Sequence, residues 1–272
     1  MTWAGTEQAA QLLADLRVRN GTNSPDRLAV DDLPEDIRPP DLMAAYEVQA
    51  RLRAILSSRS PGPQMGWKIG CTTPVMQQYL SIPHPCAGTL YRGSIQRNAG
   101  TLVATDYLKL GLECEIAVQL ARDLPLQDQI YERAHVESAV WGVMASIEIV
   151  EHRFADFKKA ATPSLVADDF FSAGCVLGHP IPLDHAGDLA KLQGGFAVGG
   201  GHPAQTGTGA EILGHPLVAL AWLADQAARL GTPLQAGQVV TLGSVVKTIY
   251  PKPGQRIEAR FTRLPSVSVD VV

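Results

Sequence analysis

The chain has 272 residues, a net charge of −4 and a hydrophobic content of 46 %. This length suits one large domain or one and a half, and the composition suffices for a substantial core. A small acidic charge without any basic run argues against nucleic acid or an anionic membrane as the main partner. The longest apolar run, at 216–224, is too short to span a bilayer, and the first residues do not resemble a signal peptide. We therefore expect a cytoplasmic protein whose four cysteines are reduced.

The predicted elements divide the chain into two parts. Within 8–60 apolar residues recur at helical spacing, interrupted by a polar, proline-rich loop at 23–40, and Asp41 after two prolines signals a helix start. From residue 66 onward short β-like runs predominate, at 67–69, 112–120, 143–150, 172–177, 194–198, 239–242 and 256–261, with one helix at 216–230. We expect an α+β fold with a helical N-terminal cap at 1–65 and a β-rich catalytic domain at 66–272.

The strand predicted at 112–120 carries two acidic residues on one face. Apolar side chains at every second position alternate with Glu113, Glu115, Ala117 and Gln119. At roughly 3.3 Å per residue the two glutamates stand about 6.6 Å apart at the backbone, close enough to converge on one ion. Carboxylate ligands favour Mg²⁺, Mn²⁺ or Ca²⁺ over Zn²⁺. The alternative is that this face is simply solvated.

A third glutamate, Glu148, is embedded in the apolar run 143–150. Charged residues are rarely buried unless they are paired or bound to a metal, so Glu148 is a candidate third ligand. Pairing with Arg153 or His152 at the strand end is the structural alternative.

Three further residues are candidates for the site. Lys68 lies in a short apolar strand between glycines, where it could pair with a substrate carboxylate or transfer a proton, or instead extend from a sheet edge into solvent. Asp168 and Asp169 could be site residues or turn residues.

Six segments together resemble the 2-keto-4-pentenoate hydratase / 4-oxalocrotonate decarboxylase family of the fumarylacetoacetate hydrolase superfamily. They are GWKIGCT (66–72), LECEIA (112–117), IEIVEHR (147–153), VADD (166–169), GTGAEILGHP (207–216) and AWLA (221–224). The resemblance covers most of the chain and implies a mixed β-sheet roll or incomplete barrel with a helical N-terminal cap. It also implies a homo-oligomer, either a dimer or a multiple of dimers.

The resemblance assigns roles residue by residue. It implies one Mg²⁺ or Mn²⁺ bound by Glu113, Glu115 and Glu148, and catalytic roles for Lys68 and Asp168. Substrate contacts are expected at Gly70, Asp169 and Ser244. Three departures from the family pattern put the substrate in doubt more than the metal: Asp169 where many relatives have Asn, PCAG at 85–88 where hydratases often have PDFG, and GSVVKT at 243–248.

The activity implied is a metal-dependent hydratase that adds water to a 2-hydroxy-2,4-dienoate, or 2-oxo-enoate, to give a 4-hydroxy-2-oxo acid. The alternatives are a 4-oxalocrotonate-type decarboxylase, a C–C hydrolase of acylpyruvate or fumarylacetoacetate type using His84, and an inactive subunit that stabilises a partner enzyme. A decarboxylase needs a cation for a second substrate carboxylate, and Arg92 and Lys247 are the candidates. We predict that neither reaches the site and that a monocarboxylic dienoate is preferred.

Overall fold

A computed structural model describes residues 3–20 and 27–272 of the chain. The helices in this part are α1 (Thr6–Arg19), α2 (Leu42–Ser57), α3 (Pro74–Leu80), α4 (Arg133–Glu137), α5 (Thr162–Ala167), α6 (Leu183–Ala186) and α7 (Pro216–Arg229). None of them is long and apolar enough to cross a membrane. Four residues of the loop predicted at 23–40, residues 23–26, lie outside the described part.

The strands form two mixed sheets. They are β1 (Gln64–Gly70), β2 (Cys86–Tyr91), β3 (Ile95–Arg97), β4 (Ala99–Leu102), β5 (Leu110–Leu120), β6 (Val140–Glu151), β7 (Ser172–Leu177), β8 (Ile181–Pro182), β9 (Gln193–Val198), β10 (Thr206–Thr208), β11 (Val239–Ser244), β12 (Arg256–Phe261) and β13 (Leu264–Val271). The larger sheet has the order β2-β1-β11-β5-β6-β7-β3, with β8 paired to β6, and the smaller has the order β10-β9-β12-β13-β4. The α+β prediction is thus confirmed in its coarse form.

Local sequence signals account for the helices that were predicted. Asp41 caps α2, since its carboxylate accepts a 2.9 Å hydrogen bond from Ala44 N. The helix predicted at 216–230 is α7, which His215 caps through a hydrogen bond from Leu217 N. The short helix α3 was not predicted, although Thr73 at its N-cap and Pro74 in its first turn are typical start signals.

The strands predicted at 67–69, 112–120, 143–150, 194–198 and 239–242 lie within β1, β5, β6, β9 and β11, and β7 and β12 have the predicted bounds. The strand β2 was missed because all six of its residues are buried, so its sequence shows no period of two. All four cysteines are buried and free of disulfides. The strands β1, β11, β5 and β6 lie at the centre of the larger sheet, and they also carry the candidate site.

Candidate metal centre and active site

The register of β5 and β6 brings the three predicted glutamates together. Glu113 lies directly opposite Glu148 in the antiparallel pair, and Glu115 follows two positions along β5 on the same face. One carboxylate oxygen from each residue lies within 4.8 Å of the others. We call Glu113, Glu115 and Glu148 the glutamate cluster.

Burial distinguishes this cluster from a solvated face. Glu115 and Glu148 are 0 % exposed, and Glu113 is partly exposed. Burial, together with the charges of Glu148 and Glu113, raises the pKa of Glu115 well above its usual range. Burial likewise raises the pKa of Glu148, although Lys68 opposes the shift. The interpretation of these glutamates as the solvated side of a strand is therefore wrong.

Each carboxylate of the cluster is held by a donor from β11 or from the segment that follows it. Thr241 Oγ1 donates to Glu148 Oε2 (3.2 Å), Gly243 N to Glu115 Oε2 (3.0 Å) and Thr248 Oγ1 to Glu113 Oε1 (2.6 Å). Sequence reasoning missed all three donors. The hydroxyl residues Thr241 and Thr248 were the available signal for two of them.

Two buried oxygens of the cluster have no hydrogen bond within the described part of the chain: Glu148 Oε1, which is ion-paired with Lys68 Nζ, and Glu115 Oε1. Among the described residues, none donates to Glu115 Oε1, although the atom is buried. A buried anionic oxygen without a donor is costly, and a cation bound between the carboxylates would remove that cost. Three carboxylates with an unused oxygen fit a hard divalent cation such as Mg²⁺ or Mn²⁺.

Lys68 extends from β1 into the glutamate cluster. Its Nζ lies 2.8 Å from Glu148 Oε1, and the side chain is 2 % exposed. Burial alone would lower the pKa of Lys68, but the charges of Glu148, Glu113 and Glu115 outweigh it and raise the pKa. Since β1 lies between β2 and β11, the interpretation of Lys68 as a solvated edge residue is wrong.

Two glycines make room for Lys68 and for the segment that covers it. A Cβ at Gly70 would lie 2.6 Å from the ring of Phe170 and 3.2 Å from Lys68 Nζ. A Cβ at Gly88, opposite Lys68 on β2, would collide with the carbonyl oxygen of Asp169. Gly70 thus lies beside the lysine, and its lack of a side chain is what the packing requires, while its substrate contact stays a prediction.

The two aspartates are held by arginines rather than by the glutamate cluster. Arg17 Nη2 lies 2.8 Å from Asp168 Oδ1 and 3.1 Å from Asp169 Oδ2. Arg153 Nε donates to Asp168, and the same guanidinium pairs with Glu151. The alternative that Arg153 pairs with Glu148 is therefore wrong. We call Asp168 and Asp169 the aspartate cluster.

Asp169 has two further donors, which tie it to β2. Thr89 N donates to Asp169 Oδ1 (2.9 Å) and Tyr91 Oη donates to Oδ2 (3.1 Å). Asp168 and Asp169 are 2 % and 0 % exposed. The charges of Asp168 and Asp169 raise the pKa of Arg17 although its burial acts in the opposite direction.

Asp169 begins a turn with an unusual backbone. The φ angles of Asp169, Phe170 and Phe171 are +54°, +46° and +68°, all in the left-handed region that favours glycine. For other residues this conformation costs about 1–2 kcal/mol each, so the surrounding contacts must hold it.

Four more residues were singled out in the sequence: Ser244, His84, Arg92 and Lys247. The Ser244 hydroxyl lies next to Glu115 in register but is within hydrogen-bond distance of the Cys114 and Val246 carbonyls. His84 Nδ1 lies 2.8 Å from Pro85 O, and its ring stacks on Trp222. Arg92 and Lys247 are both exposed.

The chain has relatives along almost its entire length. The 2-keto-4-pentenoate hydratase of Paraburkholderia xenovorans is 32 % identical over 270 residues, which is 99 % of this chain and 96 % of that protein. The 2-hydroxyhexa-2,4-dienoate hydratase of Comamonas testosteroni is 31 % identical over 212 residues, covering 75 % of this chain and 77 % of that protein. No family model matches the sequence.

Solved structures share the fold. The 4-oxalocrotonate decarboxylase of Pseudomonas putida G7, complexed with magnesium and adipate, has a TM-score of 0.88 at 24 % identity, covering 98 % of this chain and 97 % of that chain. Fumarylpyruvate hydrolase of Pseudomonas aeruginosa, in complex with Mn²⁺ and pyruvate, has a TM-score of 0.59 at 14 % identity, covering 76 % and 88 %. On its full-length relatives, the chain belongs to the 2-keto-4-pentenoate hydratase family.

Proposed function

We propose that this protein is a hydro-lyase that adds water to a 2-hydroxy-2,4-dienoate, or 2-oxo-enoate, and forms a 4-hydroxy-2-oxo acid. The convergence of Glu113, Glu115 and Glu148 beside the buried ammonium of Lys68 is the observation that carries the proposal. The hydratase names of the full-length relatives support the same activity.

The glutamate cluster is proposed to bind one Mg²⁺ or Mn²⁺. Glu113, Glu115 and Glu148 would hold the ion, and substrate and water would supply its other ligands. When bound, the ion supplies Lewis-acid stabilisation for the negative charge that develops on the substrate's 2-oxygen. Thr241, Gly243 and Thr248 each donate to one oxygen of a carboxylate, which leaves the second oxygens of Glu113 and Glu115 for the ion, while that of Glu148 pairs with Lys68.

Lys68 is proposed to hold and move protons. The charges of the surrounding carboxylates raise the pKa of Lys68 in the metal-free protein. Protonation of the dienol at C5, with loss of the 2-hydroxyl proton, gives the unsaturated ketone. Water then adds its hydroxyl to C4, and a proton is added at C3. Lys68 is the buried cation that lies against the glutamate cluster, within reach of a substrate bound there.

A decarboxylase is less well supported. The likeness to 4-oxalocrotonate decarboxylase, at 24 % identity, concerns the fold. A dicarboxylate substrate needs a second cation, but Arg92 and Lys247 are exposed and Lys68 is paired with Glu148. The hydrolase alternative needs His84 to activate water, whereas its Nδ1 lies against the carbonyl of Pro85.

The finer architecture is also a proposal. We propose that the larger sheet closes into an incomplete barrel, covered by a helical cap within residues 1–65 that precedes the catalytic domain at 66–272. Ser172 Oγ on β7 donates to Thr89 O on β2 (3.0 Å), although these strands are far apart in the sheet order. Gln49 of α2 donates to the carbonyl oxygens of Ala87 and Val166, which supports packing of the cap against the sheet. The homo-oligomer and the cytoplasmic location stay predictions.

The activity is tested with purified, chelator-treated protein. We expect no turnover until Mg²⁺ or Mn²⁺ is added, and then loss of the dienoate absorbance of 2-hydroxypenta-2,4-dienoate with formation of the 4-hydroxy-2-oxo acid. A parallel panel contains 4-oxalocrotonate and acylpyruvates. Faster metal-dependent release of CO₂ from 4-oxalocrotonate, or cleavage of an acylpyruvate in preference to hydration, would overturn the assignment.

A further inference from the structure

We propose that Asp169 and Arg17 are positioning residues for Lys68: together they hold the left-handed turn at 169–171 against the lysine. The inference rests on the proposed function and deepens it, because it gives Asp169 a role other than the substrate contact predicted from the sequence.

The turn contacts Lys68 through Phe170 and packs over the strand opposite the lysine through the carbonyl of Asp169. The ring centroid of Phe170 lies 5.2 Å from Lys68 Nζ, and Phe170 is buried. The carbonyl of Asp169 packs over Gly88, and a Cβ at Gly88 would also lie 3.2 Å from Lys68 Cγ. With Glu148 bonded to the ammonium, these contacts restrict the lysine to one direction.

Such a backbone needs strong anchors. Three consecutive non-glycine residues with positive φ would relax to a commoner conformation without them. The anchors come from Asp169, whose two oxygens accept hydrogen bonds from Thr89 N and Tyr91 Oη. The side chain of Asp169 thereby fixes the first residue of the turn to β2, the strand that pairs with the strand of Lys68.

Arg17 supplies the charge that this arrangement requires. Asp168 and Asp169 are adjacent buried carboxylates, which repel each other unless a cation lies between them. Arg17 Nη2 is within 2.8 Å of one and 3.1 Å of the other. Arg153 completes the support with a 3.0 Å hydrogen bond from Nη2 to Asp168 O.

This arrangement connects the N-terminal helix with the chemistry. Arg17 belongs to α1, and its partner Asp168 is 151 positions away in the sequence. The chain of contacts runs from α1 through Arg17 and Asp169 to Phe170 and Lys68. We infer that α1 sets the direction of the catalytic ammonium, and that the charge of Asp169 makes this direction depend on Arg17.

The test compares Arg17→Gln and Asp169→Asn with wild type. Asn at 169 keeps an acceptor for Thr89 N, so this variant is the milder change should Arg17→Gln fold poorly. We expect kcat to fall by about 10- to 100-fold in each, the scale of a misplaced catalytic group, with KM and Mg²⁺ affinity within about twofold of wild type. Arg17→Lys should restore part of kcat.

Arg51→Gln is the matched control. Arg51 of α2 pairs with Glu7 of α1 at the surface, so the variant also breaks an ion pair of α1 but lies outside the contacts of Lys68. It should keep wild-type kcat. If Arg17→Gln and Arg51→Gln lowered activity equally, Arg17 would have only a structural role and the proposal would be wrong.

Crystal structures of the variants give a readout besides activity. In Asp169→Asn or Arg17→Gln we expect residues 169–171 to leave the left-handed region and the distance from Lys68 Nζ to Glu148 Oε1 to exceed its present 2.8 Å. An unchanged turn and lysine in both variants would overturn the proposal, as would a rise in KM with unchanged kcat, which indicates direct substrate binding. Failure of the proposed function is distinguishable, because wild type would then show no hydration whatever the geometry of the variants.

Discussion

Two buried acidic clusters in this protein are neutralised in different ways. The glutamate cluster has three carboxylates and one cation, Lys68, within ion-pair distance among the described residues. The aspartate cluster has two carboxylates in contact with two guanidinium groups, Arg17 and Arg153. Both clusters contain fully buried carboxylates, with Glu113 partly exposed, so burial alone does not separate a reactive centre from a structural one.

The difference in charge balance separates them. In the aspartate cluster each carboxylate has a guanidinium group within ion-pair distance, although Arg153 is shared with Glu151, so both acids are paired as folded. A cluster with excess negative charge and a buried oxygen without a donor is complete only with a further cation. Counting partner charges around each acidic group therefore distinguishes a candidate metal site from a structural ion-pair network.

Substitution in the glutamate cluster should have the largest effect. Glu115→Gln removes a ligand charge, so we expect loss of bound Mg²⁺ or Mn²⁺ and of all measurable turnover. The apo variant should be at least as stable as apo wild type, because a buried carboxylate with a raised pKa has been replaced by a neutral group. Metal titration by calorimetry and thermal unfolding in chelator measure the two effects.

Glu258→Gln is the control for that experiment. Glu258 pairs with Arg260 at the surface, and its variant should titrate with metal as wild type does. Wild-type metal affinity in Glu115→Gln would refute the metal assignment.

Replacing a carboxylate by an amide in the aspartate cluster should have the opposite effect: the protein loses stability and keeps its metal binding. Asp168→Asn leaves Arg17 and Arg153 with one charge fewer between them, and removing one member of a buried ion pair costs about 3–5 kcal/mol. We expect a loss of that order in the free energy of unfolding, measured in urea, while the folded fraction still binds metal. Asp270→Asn breaks the exposed pair with Arg256 and should cost less than about 1 kcal/mol. Equal losses in the two variants would contradict the comparison.

Lys68 contacts Glu148 of the glutamate cluster and Phe170 of the turn that Asp169 begins. Its substitution tests whether the lysine takes part in the reaction. Lys68→Met should leave metal affinity nearly unchanged and reduce kcat/KM by about 10² or more, the scale for loss of a positioned proton-transfer group. Steady-state kinetics at saturating Mg²⁺ measure it. Near wild-type kinetics would mean that the buried lysine only compensates charge.

Sequence patterns predicted one of these clusters better than the other. The alternation in β5 placed Glu113 and Glu115 on one face, and an acid in an apolar run singled out Glu148. Their convergence depends on the register of β5 and β6, which is set by the packing of the whole sheet. The expectation that the three glutamates converge on one ion therefore came from the family resemblance.

The aspartate cluster had no comparable signal. Arg17 lies 151 positions from Asp168, in a helix whose sequence marks no position as special. Of the three residues in the left-handed turn, only Asp169 is of a type that visits positive φ, and the two phenylalanines give no such indication. Its conformation is imposed by tertiary contacts, which local propensity does not record.

Acid should affect the region around His152, whose ring lies 5.3 Å from that of Phe171 in the left-handed turn. Burial, with the charges of Lys109 and Arg153, lowers the pKa of His152 to about 4. Because its ordinary pKa is about 6.5, protons bind preferentially to the unfolded chain between pH 6.5 and 4, so this contribution to stability is lost as the pH falls through that range.

His152→Gln should therefore lose less stability than wild type between pH 7 and pH 4. After discounting for the partial exposure of the ring, the difference is about 1 kcal/mol, or about 2–4 °C in Tm. Thermal unfolding of both proteins in chelator measures it. Parallel Tm curves would show that His152 does not contribute to the acid sensitivity of this region.

The exposed cations should have the smallest effect and decide between hydration and decarboxylation. Arg92 and Lys247 are both exposed, so neither reduces the excess negative charge of the glutamate cluster. Arg92→Ala and Lys247→Ala should each leave kcat/KM for 2-hydroxypenta-2,4-dienoate within about twofold of wild type, as expected for solvated residues. They should also leave the preference for this monocarboxylic substrate over 4-oxalocrotonate unchanged, because no second carboxylate is bound by them. A selective loss of activity toward 4-oxalocrotonate in either variant would place that cation at the far end of the substrate. The excess charge of the cluster would then serve a dicarboxylate substrate, and decarboxylation would become the better assignment.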